Sequence, residues 1–195
     1  MRVLLSTIGS RGDVQPLVAL ALALRESGQG VRFCAPPDFR GLVEGFGFEF
    51  VALGPELRGT ASAGAVRPTV EQLRMLAKMS VDTQFATVPR AAEGCDVIVA
   101  GGYLQIAAPT VAELMGIAVV QATYCPIVLP SRHHAPPPLP GGGDAPSEED
   151  DIADLWARDA RRWNETWAEA LNAHRVSAGL APVDDVRGHI LTERP

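Results

Sequence analysis

The feature that most constrains this chain is the rhythm of its first 125 residues, where short apolar runs alternate with helical periodicity. Residues 2–8, 31–35, 48–53, 95–100 and 117–122 are apolar runs of strand length. None shows the apolar–polar alternation of a half-solvated strand, so each reads as a strand buried on both faces. Between them, residues 16–27, 37–45, 69–93 and 105–115 read as helices. Pro16 suits a first helical position, Gly28 the residue past a helix end, and Pro89 a break or bend. The leucines and alanines of 16–27 are apolar nearly all round, which predicts a well-covered helix. This alternation predicts an α/β, Rossmann-like domain with a mainly parallel sheet flanked by helices. Right-handed crossovers put the loops that follow the strands along one edge of that sheet.

The rest of the chain reads differently. Residues 55–68 are rich in Gly, Ala, Ser and Pro and read as loop, as do residues 126–150 with their Pro136-Pro137-Pro138 and Gly141-Gly142-Gly143 runs. Residues 150–176 read as one amphipathic helix, with Ile152, Leu155, Trp156, Trp163, Trp167 and Leu171 near helical spacing on one stripe. The acidic run Glu148-Glu149-Asp150-Asp151 suits its solvated start. Residues 189–192 are expected to start a sixth strand, giving a sheet of about six or seven.

Composition narrows the function classes. Lys+Arg is 17 against 23 Asp+Glu, a formal charge of −6, and residues 144–195 carry all of that excess. A nucleic-acid binder is disfavoured, because it would present a basic face. No run is apolar for long enough to span a membrane, and the amino terminus lacks a secretory pattern. Cys34, Cys95 and Cys125 are an odd, widely spaced set, which suggests reduced thiols in a cytoplasmic protein and neither a disulfide framework nor a zinc site.

The stretch Gly9-Ser10-Arg11-Gly12-Asp13-Val14-Gln15-Pro16 joins the first strand to the first helix. Ligands of open parallel sheets bind outside the carboxyl ends of the strands, so this loop sits where chemistry is expected. It is neither a Walker A loop nor a G-x-G-x-x-G fingerprint. An Arg-Gly-Asp adhesion signal is improbable inside a folded loop. Asp13 is the only carboxylate among the first 25 residues. Two readings stay open from the residues alone: a helix-entry residue stabilised by the dipole, or a general base aimed into the cleft.

A resemblance bears on that choice. Met1–Thr7 followed by Gly9–Leu20 resembles the opening of glycosyltransferases with the GT-B fold, most closely the actinobacterial enzymes that glycosylate vancomycin-type glycopeptides and polyketide antibiotics. Cys34-Ala35-Pro36-Pro37-Asp38, the stretch 94–99, Pro130-Ser131, Asn172-Ala173-His174-Arg175 and Gly179-Leu180-Ala181-Pro182 are similar as well, so the resemblance spans essentially the whole chain. It implies an acceptor-binding domain over residues 1–195, in which the segments 55–82 and 126–150 are the candidates for long variable acceptor-gripping loops, a disordered loop being the alternative for each. It also implies that Asp13 is the base that deprotonates an acceptor hydroxyl, and that Ser10, Arg11 and Gly12 approach the donor phosphates. The implied co-substrate is a dTDP- or UDP-sugar, with no other cofactor and no metal. The implied partners are a small natural-product aglycone and a carboxy-terminal donor-binding domain, in cis or in trans. No donor motif of the His-x-Gly-x-Gly-Thr type is present, so that domain is expected to lie outside these residues and the isolated chain is expected to transfer no sugar.

Other candidates carry less. His133 and His134 are adjacent and point apart on an extended chain, which makes a poor metal pair. With Gln105 they are assigned as acceptor-binding candidates, solvated loop positions being the alternative for the histidines. The tryptophans read as a packing stripe, and the 148–151 acids lack the spacing and glycine of a calcium loop. Two other classes of function remain: a non-catalytic binding or partner module that kept the acceptor pocket, and an unrelated small Rossmann enzyme, which the missing cofactor fingerprint disfavours.

Overall fold

Val3, Leu4 and Leu5 are all buried, and they point alternately to the two faces of a five-stranded sheet. In the computed structural model, which describes residues 1–57, 69–137 and 150–191, the strands are β1 (Arg2–Thr7), β2 (Gly30–Ala35), β3 (Glu49–Ala52), β4 (Val97–Gly101) and β5 (Ala118–Ala122). Every pairing is parallel and the order is β3-β2-β1-β4-β5. The helices are α1 (Arg11–Glu26), α2 (Arg40–Gly45), α3 (Val70–Ala92), α4 (Ala108–Met115), α5 (Ile152–Ser177) and α6 (Val186–Leu191).

The register sorts the core into two layers. Val3 and Leu5 align with Val31 and Phe33 on one side and with Val97 and Val99 on the other. They pack with Val14, Leu17, Val18 and Ala21 of α1 and Val43 of α2. The alternate positions Leu4, Cys34, Ile98 and Ala100 face Val88, Ala91 and Ala92 of α3 and Val111 of α4. A third cluster, with Val81, Ile106, Trp163, Leu171, Val186 and Ile190, docks α5 and α6 outside α3 and α4. The central strands β1 and β4 are apolar over Val3–Leu5 and Val97–Ala100 because both faces of the sheet are covered there, while Glu49 of β3 and Val120 of β5, on the edge strands, are exposed.

Three buried polar links hold these layers in place. Gln84 of α3 donates to the Leu104 carbonyl at 3.1 Å and accepts from the Ala107 amide at 3.0 Å. Arg175 of α5 pairs with Glu113 at 2.8 Å, and donates to Thr110 at 3.0 Å and to the Ala181 carbonyl at 2.8 Å. Asp159 sits between Arg187 at 2.6 Å and Arg162 at 3.0 Å. Trp156 and Trp163 are buried, as a packing stripe requires.

Several expectations need correction. The first helix starts at Arg11, with Pro16 inside it, because Ser10 and Asp13 close a capping box five residues earlier than the proline suggests. That helix is covered on one face only, and Leu20 is exposed. Helix α3 runs through Pro89 to Ala92, where the missing amide falls in the last turn. Residues 70–82 of the expected 55–82 loop belong to α3, which Thr69 and Gln72 cap. The sixth strand is absent: His189, Ile190 and Leu191 belong to α6. The Asp185 side chain accepts from the Gly188 amide at 3.0 Å, and Val186 and Ile190, one turn apart, fill the outer cluster. Five strands, not six or seven, stand among the described residues. Residues 58–68 and 138–149, which hold part of both expected loops as well as Glu148 and Glu149, and Thr192, lie outside the described residues.

Candidate functional site

The strand order reverses direction between β1 and β4, and the loops after β1, β4 and β5 meet at that switch point. There they enclose a cleft of about 350 Å³. Ile8, Gly9 and Asp13 form one wall, Gly102, Tyr103 and Leu104 a second, and Thr123, Tyr124, Cys125, Ile127 and Val128 a third, with Pro137 at the rim. Asp13 is the charged group among these lining residues; the rest of the surface is mainly apolar and aromatic.

Asp13 divides its two oxygens. Oδ2 accepts from the Ser10 amide at 2.7 Å and from the Ser10 hydroxyl at 3.2 Å, while Ser10 Oγ accepts from the Gly12 amide at 3.2 Å. This reciprocal box starts α1, so the helix-entry reading of Asp13 is realised. It depends on Gly9: at φ +142° a side chain there is strained, and a Cβ would overlap the Asp13 carboxylate. Oδ1 faces Gly102, lying 3.7 Å from where a Cβ on that glycine would stand. Among the described residues no donor reaches Oδ1. The Gly102 wall is itself held by β5, its amide donating to the Ala122 carbonyl at 2.9 Å and its carbonyl accepting from Gln121. The cap and the free oxygen coexist, so one carboxylate can serve structure and chemistry together.

The same box limits what the loop offers an anion. The Ser10 and Gly12 amides are engaged by the cap, and the Asp13 amide donates to the Ser10 carbonyl at 3.0 Å. The Ser10 hydroxyl is spent on Asp13 and Gly12 as well, which leaves the exposed Arg11 guanidinium, with only a 3.4 Å contact to Gln15, as the loop's open cation.

The other expected residues are elsewhere. Gln105 is fully buried and accepts from Ser6 Oγ at 2.8 Å, so it presents no surface to the cleft. His133 is exposed beside Arg132 and Ser131. His134 bonds the Ala135 carbonyl and packs edge-on against Trp156. Neither histidine lines the cleft.

Sequence reasoning missed Tyr103 and Tyr124. Tyr103 stands edge-on to Trp163, with ring centroids 5.8 Å apart, so the α5 stripe backs the cleft wall. The Tyr124 hydroxyl donates to the Asp13 carbonyl at 2.8 Å. Burial, with the Asp13 charge second and a hydrogen bond from Thr7 opposing, pushes its phenol up to about 12. Both tyrosines follow strand ends, where the switch-point rule directs attention, and that position was the available signal. The three thiols are free: Cys34 and Cys95 are buried, and Cys125 is exposed in the cleft. Burial pushes Cys34 up to about 12 and raises Cys95. Among the described residues no group of three metal-ligating side chains converges, and no helix is long and apolar enough to cross a membrane.

Residues 3–123 match the model of the glycosyltransferase family 28 N-terminal domain. The whole chain aligns with glycosyltransferase GtfC of Amycolatopsis orientalis at 44% identity, and with the vancomycin aglycone glucosyltransferase of the same organism at 40%; it covers 48% of each. The chain thus spans about half the length of the curated relatives it matches. Among solved structures, the Streptomyces sp. SF2575 glycosyltransferase SsfS6, complexed with thymidine diphosphate, superposes with a TM-score of 0.56 at 20% identity, over 95% of this chain and 47% of that one.

Proposed function

Because this chain belongs to the glycosyltransferase family 28 N-terminal domains, we propose that it is the acceptor-binding half of an inverting glycosyltransferase with Asp13 as general base. The observation that carries the proposal is the split carboxylate: Oδ2 is locked by the cap and Oδ1 opens toward an apolar cleft. A natural-product aglycone lies against Tyr103, Tyr124 and Ile127. As its hydroxyl oxygen attacks the anomeric carbon of the donor, the proton passes to Asp13 Oδ1. The bond from that carbon to the diphosphate breaks, and the leaving group keeps the electron pair. A base on one side of the carbon and a leaving group on the other give inversion. The donor is a dTDP- or UDP-sugar, whose phosphates meet the exposed Arg11 guanidinium at the head of α1. The donor must be held in line with the acceptor oxygen, which is the task of a donor-binding half in cis or in trans. The relative named vancomycin aglycone glucosyltransferase supports this choice of acceptor class.

Calorimetric titration of the 195-residue chain with vancomycin aglycone and, separately, with thymidine and uridine diphosphate tests the assignment. The aglycone is expected to bind, protecting Cys125 from alkylation, and the nucleotides to bind far more weakly. Nucleotide binding stronger than aglycone binding would overturn it.

A further inference from the structure

We infer that Tyr124 is a positioning residue, whose hydroxyl ties the first turn of α1 to the end of β5 and thereby fixes the aim of Asp13. The inference rests on the reading of Asp13 as the base and goes beyond it.

The first turn of α1 is short of a rung. An α-helix bonds the amide of each residue to the carbonyl four positions earlier. Pro16, the sixth residue of α1, has no amide, so the Gly12 carbonyl loses its helical partner. The turn so weakened is the one that carries Asp13. Its ties to the residue before the helix run through Ser10: the Asp13 and Val14 amides reach the Ser10 carbonyl at 3.0 and 3.3 Å, and the capping box adds to them. None of these joins the turn to another element of the sheet.

Tyr124 supplies that join. Its hydroxyl donates to the Asp13 carbonyl at 2.8 Å across 111 residues of sequence. The approach is possible only because Gly101 has no side chain, since a Cβ there would stand 2.6 Å from the hydroxyl oxygen and 2.8 Å from Leu17 Cδ1. Gly101 is itself registered against Thr7 at the end of β1, where the Thr7 hydroxyl donates to its carbonyl at 3.0 Å. The tyrosine thus crosses over the ends of β4 and β1 to reach α1. With its phenol raised to about 12, it keeps the donated proton throughout the neutral range. Tyr124 lines the cleft and its hydroxyl donates to the helix, so removing the hydroxyl alone and removing the whole side chain separate positioning from acceptor contact.

The test uses Tyr124→Phe and Tyr124→Ala. In the 195-residue chain, amide exchange followed by NMR should accelerate about tenfold at Asp13 and Val14 in Tyr124→Phe, the loss expected for one hydrogen bond. Exchange at Val18 and Ala21, deeper in α1, should stay at the parental rate. Unchanged exchange at Asp13 and Val14 overturns the inference. The kinetic arm joins this chain to the carboxy-terminal half of GtfC, with Asp13→Asn as the reference. Tyr124→Phe should lower kcat about tenfold with KM for the aglycone unchanged, and Tyr124→Ala should raise KM as well. If Asp13→Asn abolishes turnover and Tyr124→Phe retains parental kcat, the positioning role is wrong and the base assignment stands. If Asp13→Asn itself turns over normally, the base assignment falls and the positioning role falls with it.

Discussion

Replacing Gly9 by alanine is expected to destabilise the domain through two separable effects. The backbone φ of +142° lies where side chains are rarely tolerated, a strain of about 1–3 kcal/mol. The added Cβ also overlaps the Asp13 carboxylate. To relieve that overlap, Oδ2 must leave the Ser10 amide, which undoes a capping interaction of about 1 kcal/mol. Together the loss is about 2–4 kcal/mol. At about 2–4 °C per kcal/mol for a domain of this size, the melting temperature falls by about 4–16 °C. A double-mutant cycle separates the two effects. In an Asp13→Ala background no carboxylate is left to displace, so Gly9→Ala should lose only the backbone part, and the cycle should close with an interaction of about 1 kcal/mol. Thermal melts of the four proteins, read by circular dichroism with denaturant titrations for the free energies, give that number. If Gly9→Ala costs the same in both backgrounds, the Gly9 position does not abut Asp13 and the account of the cap is wrong.

Other outcomes follow from the same structure. Arg175→Met should destabilise by about 1–3 kcal/mol, because it removes the hydrogen bonds from the buried guanidinium to Thr110 and to the Ala181 carbonyl and its ion pair with Glu113; a denaturation midpoint within error of the parent would contradict the link between α4 and α5. Hydrogen bonds from Lys78 and then His174 hold Asp82 below its ordinary value of 3.8. Its stabilisation is therefore full above that value and lost as pH falls through the lowered one. The pair is exposed, so the difference in melting temperature between parent and Asp82→Asn should be small, present at pH 5 and shrinking as pH falls below 3.8; a gap that stays constant in acid refutes the linkage. Cys125 should react with a maleimide in the native chain, with Cys34 and Cys95 reacting only on unfolding. Native labelling of either buried thiol, mapped by mass spectrometry, would contradict the packing of the sheet.

The sheet was legible because its central strands are buried on both faces. Val3 to Leu5 and Val97 to Ala100 leave no polar residue to suggest another environment. The helix starts were harder to place. Pro16 carries a strong local signal for a first helical position, but the Ser10–Asp13 box begins the helix earlier, with aspartate where glutamate or glutamine usually completes the motif. The tail was misread because Ile190 and Leu191 look strand-like in isolation; their conformation is set by Val186 and Ile190 packing one turn apart against α4 and α5. Asp13 was legible as a candidate from its loop. Its partners were not, since Tyr124 and Gly102 reach it only through the parallel registry of β1, β4 and β5. Gln105 looked accessible at the head of a helix, yet its hydrogen bond to Ser6 draws it inside.

The central claim is that a carboxylate already used as a helix cap is also the base. Turnover of Asp13→Asn, in this chain joined to the GtfC carboxy-terminal half, tests it most directly. Asparagine keeps a side-chain oxygen for the Ser10 amide, so the melting temperature should stay within about 2 °C of the parent. Removal of the base should lower kcat by about 10²–10⁴-fold with aglycone affinity retained. A variant that melts with the parent and turns over within about threefold of it would show that Asp13 only caps the helix, and the proposed chemistry of the cleft would be wrong.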